Sequence, residues 1–294
     1  MSKENRNYRD SVFVDLFFRY QGAKENALSL YNALSGSHYD NPEEVRMLKL
    51  EDVMYKDFQN DISFLIREKI FVLGEHQSTI NENMPLRFLL YIGRLYETLL
   101  AVEDRYKEKR IPLPAPEFYV FYNGEKKYPA YKLLKLSDSF LVKGRQAFDL
   151  EVTVHVYNLN KGMNTKLLEE CPVLKEYCEF ADVVSKYKGQ KEKLKAAIEE
   201  CIQKGILTDY LSERGSEVTN MLIAQYDYEK DIEVKKKEAR EEGKNEGEKY
   251  MAKLVAFLCR KKRYSDLERI EDPKNREKLL AEMEAEEKQG NTFA

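Results

Sequence analysis

The stretch from Asp61 to Ser78 constrains the fold of this chain more than any other. It reads DISFLIR, a polar break at Glu68 and Lys69, then IFVLGEHQS. Both runs are rich in β-branched and aromatic residues and are apolar at successive positions. That is the pattern of strands buried on both faces, hence of central strands in a covered sheet. An antiparallel hairpin turning around Glu68 sets Ile66 against Ile70, Phe64 against Val72 and Ile62 against Gly74 on one face. On the other face Leu65 meets Phe71, Ser63 meets Leu73, and Asp61 meets Glu75.

Directly opposed residues of a hairpin have Cβ atoms about 4.5–5.5 Å apart, and like charges so placed repel. A sequence that keeps Asp61 and Glu75 there calls for a compensating cation. Oxygen ligands at that spacing suit Mg²⁺ or Mn²⁺. Gln77 follows Glu75 by two residues and projects from the same face. The competing reading is an Asp and a Glu that pair with separate basic groups, or a strand end in solvent. His76 points to the opposite face and reads as structural. No Ser-His-Asp arrangement can be assembled, since His38 sits in a loop and His155 in a late strand.

Around the hairpin, periodicity predicts a helix with Phe13, Leu16, Phe17 and Tyr20 on one face, a break at Gly22, and a second helix through Leu34. Val45–Val53 is a further strand candidate. Leu86–Val102 reads as a strong helix, Pro112, Pro114 and Pro116 as a stiff connector, Phe118–Tyr122 as a strand closed by Asn123-Gly124, and Asp149–Tyr157 as another strand. Three successive strands, a crossover helix and another strand imply an α/β fold with a mixed central sheet covered by helices. From Asn164 on the pattern is helical: Leu167–Tyr187, Lys191–Cys201 and Glu217–Tyr228. The chain therefore divides into a core at 1–160, a helical extension at 161–228 and a charged tail at 229–294, helical or partly disordered. The apolar run Met251–Leu258 in that tail is suited to pack on a partner.

Charge and composition exclude some classes. No run of about 18 apolar residues is present, so no membrane-spanning segment is expected. The polar Met1–Asp10 lacks the apolar stretch of a secretory signal, which points to the cytoplasm. Cys171, Cys178, Cys201 and Cys259 have no zinc-ligand spacing and read as free thiols. The net charge of −3 is no footprint for nucleic acid. Locally, residues 126–145 hold six basic side chains (Lys126, Lys127, Lys132, Lys135, Lys143 and Arg145) against Asp138. Such a run is either a solvated face or a phosphate-binding patch.

Several of these stretches carry a resemblance to a known family. They are RDSVFVDLF at Arg9–Phe17, NDISF at Asn60–Phe64, GEHQSTINENMPLRFLLY at Gly74–Tyr91, FYVFYNG at Phe118–Gly124, LKLSDSF at Leu134–Phe140 and VYNLNKGMN at Val156–Asn164. The chain resembles the PD-(D/E)XK nuclease superfamily, and more closely the bacterial family of recombination-promoting nucleases and putative transposases. The resemblance implies a restriction-endonuclease-like αβββαβ core with a C-terminal helical extension. It also implies divalent-metal-dependent cleavage of DNA in recombination or transposition-like events.

Carried over by position, Asp61 is the motif aspartate, Glu75 the second acid, and Gln77 stands where the superfamily has lysine. The implied cation is Mg²⁺ (or Mn²⁺), held by Asp61, Glu75 and the backbone carbonyl of His76. A neutral glutamine hydrogen-bonds a water but cannot lower its pKa by charge. Asp10 is either a further acid of the site or the N-cap of the first helix. Asp15 reads as a solvent-side helix residue. Arg87, Tyr91, Arg94 and Thr98 form one polar stripe, either plain surface or a place where Arg87 and Arg94 meet DNA phosphates. Tyr119, Tyr122, Tyr128 and Tyr131 either stack on bases or pack at the sheet edge. The expected partners are DNA and a second copy of the chain through the C-terminal helices. The alternatives are a catalytically weak fold that binds DNA or protein, and a nuclease toxin restrained by a partner.

Overall fold

The structure is a computed structural model that describes residues 12–48, 62–142, 144, 145, 147–187 and 190–290. Asp61 and Asp10 lie outside the described residues, as do Lys143 and the 49–53 part of the expected strand Val45–Val53. The chain divides into two compact units, Met1–Tyr226 and Asp227–Ala294.

The first unit is built on a six-stranded mixed sheet of order β1-β2-β3-β4-β6-β5. The strands are β1 (Val45–Met47), β2 (Ile62–Ile66), β3 (Ile70–Gln77), β4 (Ala115–Tyr122), β5 (Tyr131–Lys135) and β6 (Thr153–Asn158). The hairpin has the register expected from its sequence: Ile66 opposes Ile70, Phe64 opposes Val72 and Ile62 opposes Gly74. It turns through Arg67 and Glu68, both with positive φ (50° and 55°), and the Lys69 N–H donates to the Ile66 carbonyl at 2.9 Å. Two left-handed residues in succession match the twist of the flanking strands. Here no glycine or asparagine eases them. Instead Arg46 makes a two-pronged bond to Glu68 at 2.7 and 2.6 Å, and Arg67 bonds Glu44 at 2.6 Å.

Strand β3 pairs in parallel with β4, and β4 in parallel with β6. The connection from β3 to β4 runs through helix α3, as a parallel crossover requires. Proline was expected to keep 112–116 out of the sheet, yet Pro116 lies within β4, opposite Phe71. The reason is directional. Ala115 N–H donates to the carbonyl of Lys69, the residue before β3, at 2.8 Å, so the next residue's nitrogen points the other way. On that side β6 begins to pair only at Tyr119, and a missing donor costs nothing there.

Strand β5 was not foreseen. Its pattern is masked because Lys132 and Lys135 flank Leu133 and Leu134, and as an edge strand it leaves most side chains to water. Strand β6 starts four residues later than expected.

Helices cover both faces. On one side α1 (Val12–Val14, continuing as a π-turn through Arg19), α2 (Ala23–Ser35), α4 (Thr165–Glu170), α5 (Pro172–Ser185), α6 (Leu194–Gln203) and the start of α7 (Thr208–Arg260) share a core with Ile62, Phe64, Val72 and Phe121. On the other side α3 (Met84–Leu99) packs Phe88, Tyr91, Ile92 and Leu95 on Phe71, Leu73 and Val120. The helix expected at Leu167–Tyr187 is two helices, parted at Cys171-Pro172 because proline opens a helix and cannot sit inside one. In α3 the buried stripe is not set by the leucines alone. Leu86, Leu90 and Leu99 are exposed, and Met84, Phe88 and Tyr91 are inside.

Asp15 corrects another expectation. It is 1% exposed, not solvent-facing. It accepts a 2.7 Å bond from Tyr210 Oη, and Arg214 Nη2 lies 3.2 Å from its Oδ1. The latter geometry is coulombic, since Asp15 Oδ1 and Arg214 Nε both lack a well-aligned hydrogen bond. Arg214 is also where α7 departs from helical dihedrals (φ −118°, ψ 17°).

In the second unit, residues 229–250 are helical throughout, within α7. Leu254, Phe257 and Leu258 pack on Ile270, Leu279 and Met283. The apolar run at 251–258 thus finds its cover within its own chain, through α8 (Tyr264–Leu267), the short turn after it, and α9 (Pro273–Gly290). Among the described residues no helix is long and apolar enough to cross a membrane.

Candidate functional site

The alternation of β3 decides which residues meet. Phe71, Leu73 and Glu75 face α3, whereas Val72, Gly74 and His76 face α1 and α5. Glu75 therefore enters the space beneath the first two turns of α3, where it is 4% exposed. A carboxylate buried to this degree needs partners, because an isolated buried charge costs several kcal/mol or neutralises itself.

Two partners come from predicted site residues. Gln77 Nε2 donates to Glu75 Oε2 at 2.6 Å and also contacts Met84 Sδ at 3.0 Å. Arg87 Nη2 donates to Glu75 Oε1 at 3.0 Å. Arg87 in turn is held by Tyr91, one helical turn on, whose hydroxyl accepts from Nη2 at 2.8 Å and from Nε at 3.2 Å. Burial and the nearby Glu75 charge push the Tyr91 hydroxyl pKa upward, so it stays protonated.

The local sequence explains how Arg87 gets there. After β3, Asn81 Oδ1 caps the turn by accepting the Asn83 N–H at 3.0 Å. Pro85 then starts α3, where a missing N–H is harmless. Positions 84, 87 and 91 lie on one helical face. The helix thus begins immediately above the carboxyl end of β3.

The expected polar stripe on α3 therefore separates. Tyr91 is fully buried and belongs to the Glu75 site, a role the sequence reading missed although it placed Tyr91 beside Arg87. Arg94 is exposed, and the Thr98 hydroxyl folds back on the Arg94 carbonyl at 3.0 Å. Lys126 and Lys127 are exposed in the loop after β4. Of the four tyrosines, Tyr119 and Tyr122 are core residues, Tyr128 is nearly so, and Tyr131 is 45% exposed at the sheet edge.

His76 is structural on its side chain. Phe13 stacks on it at 4.7 Å, Tyr177 Oη lies 3.1 Å from its Nε2, and burial lowers its pKa to about 4. It is neutral at ordinary pH. Its carbonyl points toward the β2 side of β3, because the Gln77 carbonyl takes the Asn123 N–H of the β4 side at 3.1 Å and successive carbonyls alternate.

Beside Gln77 a small pocket of about 10 Å³ is lined by Thr79, Asn81, Met84, Tyr122 and Tyr128, room for roughly one water. The loops at this end are tightly locked. A Cβ on Gly124 would lie 2.0 Å from the Ser78 carbonyl oxygen and 2.6 Å from the Tyr122 ring.

The donors here are oxygen-bearing: a carboxylate, an amide and a main-chain carbonyl. That set suits a hard divalent cation. Arg87 already places one positive charge against Glu75, so the carboxylate sits where a cation is accepted. Among the described residues no group of three His, Cys, Asp or Glu side chains is gathered for a metal. Of the expected ligand set, Glu75 and the His76 carbonyl are described, and Asp61 lies outside the described residues.

A family model described as "Putative transposase, YhgA-like" matches residues 54–233, a span that contains the hairpin, α3 and the helices through the first part of α7. No curated protein and no solved structure matches this chain.

Proposed function

Because the chain belongs to the YhgA-like family of putative transposases, we propose that it is a divalent-metal-dependent DNA endonuclease acting in recombination or transposition-like events. One observation carries this reading. A buried glutamate at the end of a central strand is shared between an amide two residues on and a guanidinium from the crossover helix. A buried ion pair adds little net stability, since replacing one by apolar side chains is often neutral or stabilising. This one, unlike Asp15 with Arg214, stands at the carboxyl end of a central strand, and its arginine reaches solvent.

Glu75 and Asp61 would hold Mg²⁺ or Mn²⁺ together with the His76 carbonyl. When bound, the ion supplies a Lewis acid that lowers the pKa of a water and polarises a phosphoryl oxygen. Gln77 keeps Nε2 on Glu75, which leaves its Oε1 to accept a hydrogen bond from the attacking water and orient it. The water oxygen gives up a proton to solvent and forms the new bond to phosphorus, one ester P–O bond breaks, and the departing alkoxide takes up a proton from solvent. Tyr91 remains protonated and holds Arg87 beside Glu75 before a cation arrives. Lys126, Lys127 and Arg94 are exposed cations suited to the DNA backbone.

The test is relaxation of supercoiled plasmid in Mg²⁺ and in EDTA by the wild type, Asp61→Ala and Glu75→Gln. The expected result is Mg²⁺-dependent nicking, lowered at least about a hundredfold in both variants. Equal nicking by all three, or nicking that survives EDTA, rules the proposal out.

A further inference from the structure

We propose that Arg87 is a cation-responsive phosphate ligand. It neutralises Glu75 while no divalent ion is bound, and it engages a DNA phosphate once an ion takes its place. This rests on the metal-dependent reading above and adds the regulation of that site.

The two partners of the ion pair differ in exposure. The Glu75 side chain is 5% exposed and the Arg87 side chain 30%. Glu75 is fixed by a central strand and by Gln77. Arg87 stands in the first turn of α3, at the surface end of a long side chain. A divalent ion at Glu75 Oε1 would share that oxygen with a guanidinium 3.0 Å away. A guanidinium does not lose its proton, so the repulsion is relieved only by movement. The movement is toward solvent, because Tyr91 and Met84 close the inner side. A planar fork of N–H donors at the rim of a nuclease site is matched to phosphate oxygens.

The cation therefore both fills Glu75 and releases a phosphate-binding group. Linkage requires the reverse as well: DNA that captures Arg87 tightens cation binding by the same factor.

The experiment uses the full chain at pH 8. Mn²⁺ binding is followed by electron paramagnetic resonance without DNA. Binding of a fluorescent duplex is followed by anisotropy with and without Ca²⁺. In the wild type, Ca²⁺ is expected to tighten DNA binding on the order of tenfold. Arg87→Met should bind Mn²⁺ more tightly than wild type, bind DNA more weakly, and lose the Ca²⁺ effect. Arg87→Lys keeps the charge but not the fork, so it should match the wild type for Mn²⁺ and show a smaller gain of DNA affinity.

Opposite signs for Mn²⁺ and DNA in Arg87→Met are the signature. Parallel weakening of both would mark a structural arginine and overturn the proposal, as would wild-type behaviour in both. If the wild type binds no Mn²⁺, or binds it equally after Glu75→Gln, the metal reading itself falls and the role of Arg87 with it.

Discussion

The Arg87 guanidinium lies 3.0 Å from the Glu75 carboxylate and couples the crossover helix to the end of a central strand. The two sides of the pair are not equivalent. Removing the charge of Glu75 leaves Arg87 near solvent, where it is hydrated. Removing Arg87 leaves Glu75 buried. Glu75→Gln is therefore expected to change stability by less than about 1 kcal/mol, and Arg87→Met to lower it by about 3 kcal/mol. Saturating Mg²⁺ should restore much of the loss in Arg87→Met, since a ligand of the folded state stabilises it. Urea unfolding with and without Mg²⁺ checks both; equal losses in the two variants would contradict this asymmetry.

The buried pair of Asp15 with Arg214 is expected to matter for folding and not for chemistry. Asp15 is held by Tyr210 as well, and Arg214 stands where α7 leaves helical geometry. Asp15→Ala should cost about 2–3 kcal/mol, below the full value for a buried pair because Arg214 is partly exposed. Adding Arg214→Met should recover part of that loss, measured as a double-mutant cycle. Strict additivity of the two substitutions would mean that the side chains do not interact.

How much of this was legible in the sequence depends on burial. The hairpin register could be read because both strands are buried on two faces and a slip of one residue would invert every side chain. The same alternation correctly sent Glu75 and Gln77 to one face and His76 to the other. Strand β5 was hidden because an edge strand carries lysines where a central strand carries valines. Asp15 was misread because its cover, Tyr210 and Arg214, lies 195 residues or more along the chain, beyond any local pattern. Tyr91 was misread for a related reason. A tyrosine beside arginine on a helix gives no sign of which way the pair faces until the carboxylate beneath it is known.

Gly124 is expected to tolerate no side chain. The Gly124→Ala methyl would meet the Ser78 carbonyl, which is main chain and cannot swing aside. A loss of about 1–3 kcal/mol or more is expected. Because Ser78 follows Gln77, nicking activity should fall beyond what lost stability explains. Unaltered melting of Gly124→Ala would contradict the close approach of the two loops.

The turn at Arg67 and Glu68 offers a gain in the other direction. Two non-glycine residues with positive φ disfavour the fold by about 1 kcal/mol each. Replacing them by Asn-Gly removes that cost and also the exposed ion pairs to Glu44 and Arg46, which contribute little in water. A net stabilisation of about 1 kcal/mol is expected, read as a higher urea midpoint with an unchanged slope. A lower midpoint would show that the two arginine pairs outweigh the backbone.

The most direct measurement is a crystal of the full chain soaked in Mn²⁺ and recorded at the manganese edge. The expected result is an anomalous peak at about 2.0–2.2 Å from a Glu75 oxygen, with Asp61 on its other side and Arg87 withdrawn. Glu75 still bound to Arg87 with no peak beside it, in crystals where Mn²⁺ occupies other sites, would contradict a nuclease centre at this strand end.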